Sequence, residues 1–383
     1  MIKKYFVTGA TGAIGSALIP LLLEDYNCQV WALLRADSAD HLTKRLEELI
    51  TFWEMDRDQA QDARQRIIPL LGDTDRSKFA LSDETYAEIA SQCTHIIHCA
   101  GVVRMNLPLE VARQHALGST QSIVELALAC QTAGSLQKID YVSTVGVAGR
   151  MSGIVPETWI TQPREFHNTY EQSKAEAEDY LRTQIEQHNL PVTVHRPSMV
   201  VGDSKTGRII HHQIFYYLCE LISGRKTFGI LPRLADSTLD IVPVDYVTQV
   251  IKWSADQGKN CVGQIFHLCS GSGRAIPLTK LQRLVRDAMK NQGVKLPIVI
   301  SVPTGFFVLL LKAIMPLTRG AVLRTLKVCP IFIDYLADSQ FFGNNKTLQF
   351  LVEQRGPMLV ADNAYLNNVL LKYLMLRVIN SSN

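Results

Sequence analysis

The opening of this chain constrains its fold more than any other stretch: a strand-like KYFV runs directly into TGATGAIG, and an apolar helical pattern, Ser16 to Leu23, follows at once. Glycines at 9, 12 and 15 let the backbone turn tightly and approach a pyrophosphate, whose charge the first amides of the helix and its dipole stabilise. The spacing is GxxGxxG rather than the commoner GxGxxG, and an isolated glycine triplet says little. Context strengthens it, because a strand precedes the loop, a helix follows, and a second strand, Val30 to Leu34, comes at the expected distance. The reading is a dinucleotide site built on Thr8, Gly9, Thr11, Gly12, Ala13, Ile14 and Gly15. About 20 positions past the glycines an acidic residue would hold the ribose 2′-hydroxyl of NAD. Arg35 occupies that place, and a guanidinium suits the 2′-phosphate of NADP. Arg45 is expected to assist, Asp37 is the competing candidate, and the expected cofactor is NADP.

Short β-branched runs and helical stretches then alternate to about residue 270. The runs are Tyr5 to Val7, Val30 to Leu34, Ile67 to Leu71, His95 to Cys99, Ile139 to Ser143, Val192 to Arg196 and Gln264 to Leu268. Helical patterns such as Ala39 to Trp53, Leu117 to Thr132 and Tyr170 to His188 separate them. Strands divided by helices imply a parallel sheet covered on both faces. The expected class is α/β: a Rossmann-type doubly wound parallel sheet over 1–270, with a substrate-side insertion at about 203–240, and a smaller, mainly helical C-terminal substrate domain over 271–383. A chain of 383 residues exceeds what one core usually fills, which also suggests two parts.

Charge divides along the same line. From Arg274 onward fourteen Lys and Arg stand against five Asp and Glu, so that stretch carries +9, and the remainder carries −6 within an overall +3. A basic part on an acidic body suits an anionic partner: a phosphorylated substrate, an acidic carrier protein or a membrane surface. No nucleic-acid partner is expected. Pro297 to Pro316 is very apolar but interrupted by Lys312 and three prolines, which argues against a membrane span. Two readings stay open for it: the wall of an apolar pocket or plain core, and a peripheral membrane contact over about 297–327. In the second, Phe306 to Leu311 meet lipid and Lys312, Arg319, Arg324 and Lys327 meet headgroups. No secretory leader precedes the first strand, so the expected compartment is the cytoplasm. The eight cysteines include no CxxC pair and are read as buried thiols with no metal site.

Tyr170, Ser173 and Lys174 lie in YEQSKAEAEDYL, which reads as a helix, and residues i and i+4 share a helix face. A nearby ammonium would favour the phenolate and draw the tyrosine's pKa toward working pH, making it a usable acid or base. The pattern follows a strand ending in YVSTVGVAG, where Thr144 offers a hydroxyl to a substrate oxygen. His95 and His98 read as packed strand residues. Cys99 has no histidine placed by sequence to activate it, and His211 and His212 are read as surface or as contacts near the start of a substrate pocket.

With these motifs together the chain resembles an extended short-chain dehydrogenase/reductase. Within that superfamily it is similar to the thioester reductase and fatty acyl-CoA reductase group, also called male-sterility-type NAD-binding domains. The narrower likeness rests on ALLRA, RIIPLLGD, HIIHCAGVV, YVSTVGV, YEQSKAEAE and HRPSMVVGDSKTG, in order across about residues 5 to 270. The resemblance implies that Tyr170 donates a proton to the substrate oxygen, Lys174 holds the nicotinamide ribose, and Thr144 orients the oxygen. It also implies cofactor contacts from Asp73 and Thr74, from the turn of Cys99, Ala100 and Gly101, and from Pro197, Met199 and Val200. One departure is His115 in HALGST, where the group usually carries asparagine, which puts a backbone-bridging hydrogen bond in doubt.

The leading expectation is an NADP-dependent oxidoreductase that reduces an acyl thioester, on coenzyme A or an acyl-carrier protein, to an aldehyde or onward to the alcohol. A ketone or alcohol oxidoreductase of the hydroxysteroid or dihydroflavonol reductase type is the alternative. A non-catalytic NADP-binding regulatory protein is a third, and Thr144, Tyr170 and Lys174 argue against it.

Overall fold

The computed structural model describes residues 2–233, 237–315, 340–359 and 363–381, without the side chains of 312 and 377–381. Seven strands form its central sheet: β1 (Lys3–Thr8), β2 (Cys28–Leu34), β3 (Ile67–Leu71), β4 (His95–His98), β5 (Lys138–Val142), then Val192–Pro197 and Ile265–Leu268. From one edge their order is Ile265–Leu268, Val192–Pro197, β5, β4, β1, β2, β3, and every pairing is parallel. The chain begins in the middle, winds out to β3, then crosses back to β4 and winds the other way. The reversal falls between β1 and β4, and ligands of such sheets bind in the crevice beyond the strand ends at that point. This is the expected doubly wound Rossmann-type architecture.

Residue alternation builds the layers, since successive side chains on a strand face opposite ways. On one face Tyr5, Val7, Val30, Ala32 and Leu34 pack against Leu18, Ile19 and Leu22 of α1 (Ala13–Leu23) and against Val247, Val250 and Ile251 of the helix Val244–Gln257. On the other, Phe6, Trp31 and Leu33 meet Ile89 of the helix Asp83–Gln92, Ile123 and Leu126 of Ser119–Thr132, and Leu181 of Thr169–His188.

A second core joins the helices Ile214–Ile222, Leu278–Asn291 and Tyr365–Ser381 through Phe215, Leu218, Leu281, Val285, Leu366 and Val369. The chain also returns to the sheet after residue 340. Gln340–Phe342 pairs in parallel with Gly153–Val155, and the helix Asn345–Glu353 places Phe350 5.5 Å from Phe266. The apolar stretch beginning at Pro297 becomes a short strand, Ile300–Val302, and a helix, Thr304–Ile314. No helix among the described residues is long and apolar enough to cross a membrane. Pro316, Arg319, Arg324, Lys327 and the Lys312 side chain lie outside the described residues.

Candidate active site

β1 ends at Thr8, and Gly9 takes the left-handed backbone with φ of 71°. A Cβ at Gly9 would lie 2.6 Å from the Ala100 nitrogen, and one at Gly15 would lie 2.2 Å from the Gly9 oxygen. Only glycine lets the strand end, the helix start and the turn after β4 meet this closely. Thr8 is buried beneath the loop, its Oγ1 2.8 Å from His98 Nδ1. The Gly12 amide donates to the Gly9 oxygen at 2.8 Å, and α1 starts at Ala13 with no side chain capping it. Its first amides are therefore left for an anion.

An open groove of about 880 Å³ runs from this loop past Thr11, Arg35, Arg45, Thr74, Asp75, His115 and His211. Arg35 directly follows β2, and its guanidinium has no hydrogen bond or ion pair among the described residues. Arg45 reaches back to the Arg35 carbonyl and donates to Thr11 Oγ1 at 3.0 Å, which ties the loop to the end of β2. Asp37 does not line the groove; its carboxylate is 3.3 Å from His41. Asp73 does not line it either, because its carboxylate folds into the turn and accepts from the Asp75 amide at 3.1 Å. Asp75 lines it instead, with Oδ2 2.6 Å from His115 Nδ1. His115, which stands where the group usually has asparagine, thus spans from the π-turn Gln114–Gly118 to the loop after β3. His211 belongs to this groove, not to the substrate end.

Gly12, Cys99, Ala100 and Gly101 also line a second opening, a cleft of about 1120 Å³, so groove and cleft form one trough. Ala13, Ile14, Pro197, Met199 and Val200 line the cleft, together with Thr144, Tyr170 and Lys174. Thr144 starts the 3₁₀ turn Val145–Ala148 after β5, and its Oγ1 accepts from the Gly146 amide at 3.1 Å. Tyr170 sits in the first turn of Thr169–His188, a helix capped by Asn168. Ser173 is spent within that helix, its hydroxyl donating to the Tyr170 carbonyl at 3.0 Å.

The electrostatics correct one expectation. Burial pushes the Tyr170 phenol up to about 12; a hydrogen bond with Thr144 pulls it down, and the neighbouring Glu171 charge raises it. The expected downward pull from Lys174 is not what prevails, because its ammonium is turned away: Nζ donates to the Val142 carbonyl at 3.1 Å and lies 5.2 Å over the Tyr141 ring. Burial brings Lys174 down to about 8, with Glu178 and Cys99 pulling the other way. Glu178, one turn further on, is held by Arg196 through two hydrogen bonds of 2.6 and 3.0 Å. At neutral pH the cleft therefore holds a protonated phenol above a largely charged lysine. Burial raises the Cys99 thiol to about 12 and lowers His98 to about 3, so neither a thiolate nor an imidazolium is present. Burial takes His95 down to about 4 as well.

The cleft also contains residues that pattern reading passed over: Val103, Met105, Glu171, Gln213 and Ile214. Glu171 is buried beside Tyr170, and its Oε2 accepts from the His167 amide at 3.0 Å and from His167 Nδ1 at 2.8 Å. The sequence signal for it was the spacing Asn168 to Glu171, a helix-start pattern in which the acid reaches back to a backbone amide.

The sequence profile of a family described as male sterility protein matches residues 7–251. An aldehyde reductase of Aspergillus flavus is 29% identical over 275 residues, which is 69% of this chain and 25% of that protein. A putative fatty acyl-CoA reductase of Drosophila melanogaster is 23% identical over 331 residues, 76% of this chain and 59% of that protein. The chain therefore spans about a quarter of the first relative's length and under two thirds of the second's. Among solved structures, the terminal R domain from the myxalamid PKS-NRPS biosynthetic pathway matches with a TM-score of 0.78 at 22% identity, over 98% of this chain and 91% of that one.

Proposed function

Because the chain belongs to the male sterility protein family, and so is an NAD(P)-dependent oxidoreductase of the extended short-chain dehydrogenase/reductase type, we propose that it reduces an acyl thioester to an aldehyde with NADPH. The observation that carries this reading is the continuous trough. At one end lie the uncapped start of α1 and the uncommitted Arg35 guanidinium; at the other Thr144 and Tyr170 face a cleft walled by Ile14, Val103, Met105, Met199 and Ile214. Those residues fit a 2′-phosphorylated dinucleotide, with α1 and Gly12 at the pyrophosphate and Arg35 at the 2′-phosphate. NADPH bound there supplies the hydride. In the same reading residues 1–270 carry the cofactor, and 203–240 with 271–383 shape the substrate side.

Tyr170 donates its phenolic proton to the carbonyl oxygen as negative charge develops on it, and Thr144 donates a second hydrogen bond to that oxygen. Burial suits the tyrosine to this direction, because a phenol near 12 is protonated at every working pH. Lys174 keeps the adjacent ribose in place with its ammonium. When the carbon–sulfur bond breaks, the hydroxyl proton returns to Tyr170 and the departing thiolate takes one proton from solvent, leaving aldehyde and free thiol. The thioester is carried by coenzyme A or an acyl-carrier protein, whose anionic groups suit the basic C-terminal part. A panel of acyl-CoA and carrier-bound thioesters, read by free thiol, tests this: thiol appears only with reduced cofactor present, and a panel with no NADPH consumption removes the reading.

Arg35 gives the expected cofactor preference. Replacing it with glutamate places a carboxylate where the 2′-phosphate would lie, exchanging a charge-assisted bond for repulsion. The expected result is a loss of at least about 100-fold in kcat/KM for NADPH, roughly 3 kcal/mol, with NADH affected far less. Unchanged discrimination between the two cofactors in Arg35→Glu would place the determinant elsewhere.

A further inference from the structure

The helix Ile214–Ile222 starts at the cleft wall and, about 13 Å further on at 1.5 Å per residue, reaches a small module outside the nucleotide site. There the strands Ile230–Pro232 and Ile300–Val302 pair in parallel and the helix Thr304–Ile314 packs over them. Leu221, Leu231, Phe307 and Leu311 form its inside, with Val299 and Val302 against them. Ile298 and Ile300 face outward beside this inner cluster, and helical spacing turns Phe306 and Leu309 away from Phe307 and Leu311. These four and Phe228 are 55% to 87% exposed, a concentration of large apolar side chains that isolated surface residues do not explain.

Charge decides what covers this face. Arg225, Arg233, Lys290 and Lys295 are exposed in the module and the helix behind it, and Asp287 is the sole acid within 222–233 and 278–312. Arg286 fastens that helix, Leu278–Asn291, to the module by donating to the Pro297 carbonyl at 2.8 Å. A second copy would set cation against cation, and an acidic carrier protein would set charged surface against Phe306 and Leu309. Exposed apolar residues in a module whose exposed charges are almost all cations match the interface of a membrane carrying negative headgroups.

We propose that the module formed by residues 225–233 and 295–314 docks peripherally on an anionic lipid surface, with Phe306 and Leu309 entering the acyl boundary and Arg225, Arg233 and Lys295 at the headgroups. Docking requires no turnover, so it stands or falls separately from the thioester reading. The test is co-sedimentation of the full chain with phosphatidylcholine vesicles with and without phosphatidylglycerol. Binding is expected to the anionic vesicles and to weaken as salt rises. Arg225→Gln should weaken it about fivefold, the equivalent of one basic residue at such a surface. Phe306→Ser with Leu309→Ser should weaken it at least about tenfold, while NADPH binding and the thermal midpoint stay as in the parent. No sedimentation with anionic vesicles, or equal sedimentation of the double variant, overturns the proposal. So does a parent that doubles its mass with concentration while the double variant stays monomeric, since the face would then be an interface between copies.

Discussion

Tyr170→Phe is expected to lower kcat by about 10² to 10⁴, the usual range for a positioned proton donor, while the Kd for NADPH stays within about twofold. The change removes one hydroxyl from a half-buried side chain whose hydrogen bond is with Thr144. The fold should tolerate it, with a cost near the roughly 1 kcal/mol of one hydrogen bond. Single-turnover kinetics at saturating NADPH separate the outcomes, and a variant keeping a tenth of the parent rate would remove Tyr170 from its assigned role. The pH profile follows from the same geometry. Tyr170, raised to about 12, stays protonated across the working range, whereas Lys174, lowered to about 8, is charged below that pH and loses its charge as pH rises through it. Reduction should therefore decline with rising pH through about 8.

Gly15→Ala is expected to raise the Kd for NADPH by about 100-fold or more, near 3 kcal/mol, and to lower the unfolding midpoint by several degrees. The added methyl would sit 2.2 Å from the Gly9 oxygen, and neither partner is a flexible side chain that could yield. Relief requires α1 to move off the end of β1, and the amides that face the groove move with it. Overpacking of this kind costs about 1 to 3 kcal/mol in stability alone. Gly118→Ala is the matched control, since a Cβ there meets nothing within 4 Å and the residue lines neither groove nor cleft. A Gly15→Ala protein that binds NADPH within threefold of the parent would show that close approach at this loop is not what holds the cofactor.

The sheet was legible because strands buried on both faces are written as short apolar runs; all seven runs read from the sequence became its seven strands. α1 was legible because glycines mark where it begins, and the helix carrying Tyr170 because YEQSKAEAEDYL keeps a helical pattern; its capping Asn168 appears only in the structure. What periodicity could not supply was the direction of a side chain or its burial. The i, i+4 spacing placed Tyr170 and Lys174 on one helix face, yet the lysine amine turns to the Val142 carbonyl and burial dominates both titrations. Asp73 was picked by position in a motif, but its carboxylate closes a local turn and leaves Asp75 in the groove. Contacts between distant segments, such as Phe350 on Phe266 or Gln340–Phe342 beside Gly153–Val155, leave no periodic trace in either partner. They place the last part of the chain on the sheet as well as in the second core.

The central claim is that hydride reaches the carbonyl carbon of a thioester in a cleft where Tyr170 protonates the oxygen. The most direct measurement uses NADPH deuterated at the transferring position, an acyl thioester, and simultaneous quantification of free thiol and product. The expected result is one thiol and one C1-deuterated aldehyde for each NADPH oxidised, with a second deuterium only where the aldehyde goes on to the alcohol. Cofactor oxidation without thiol release, or aldehyde without deuterium at C1, would contradict it.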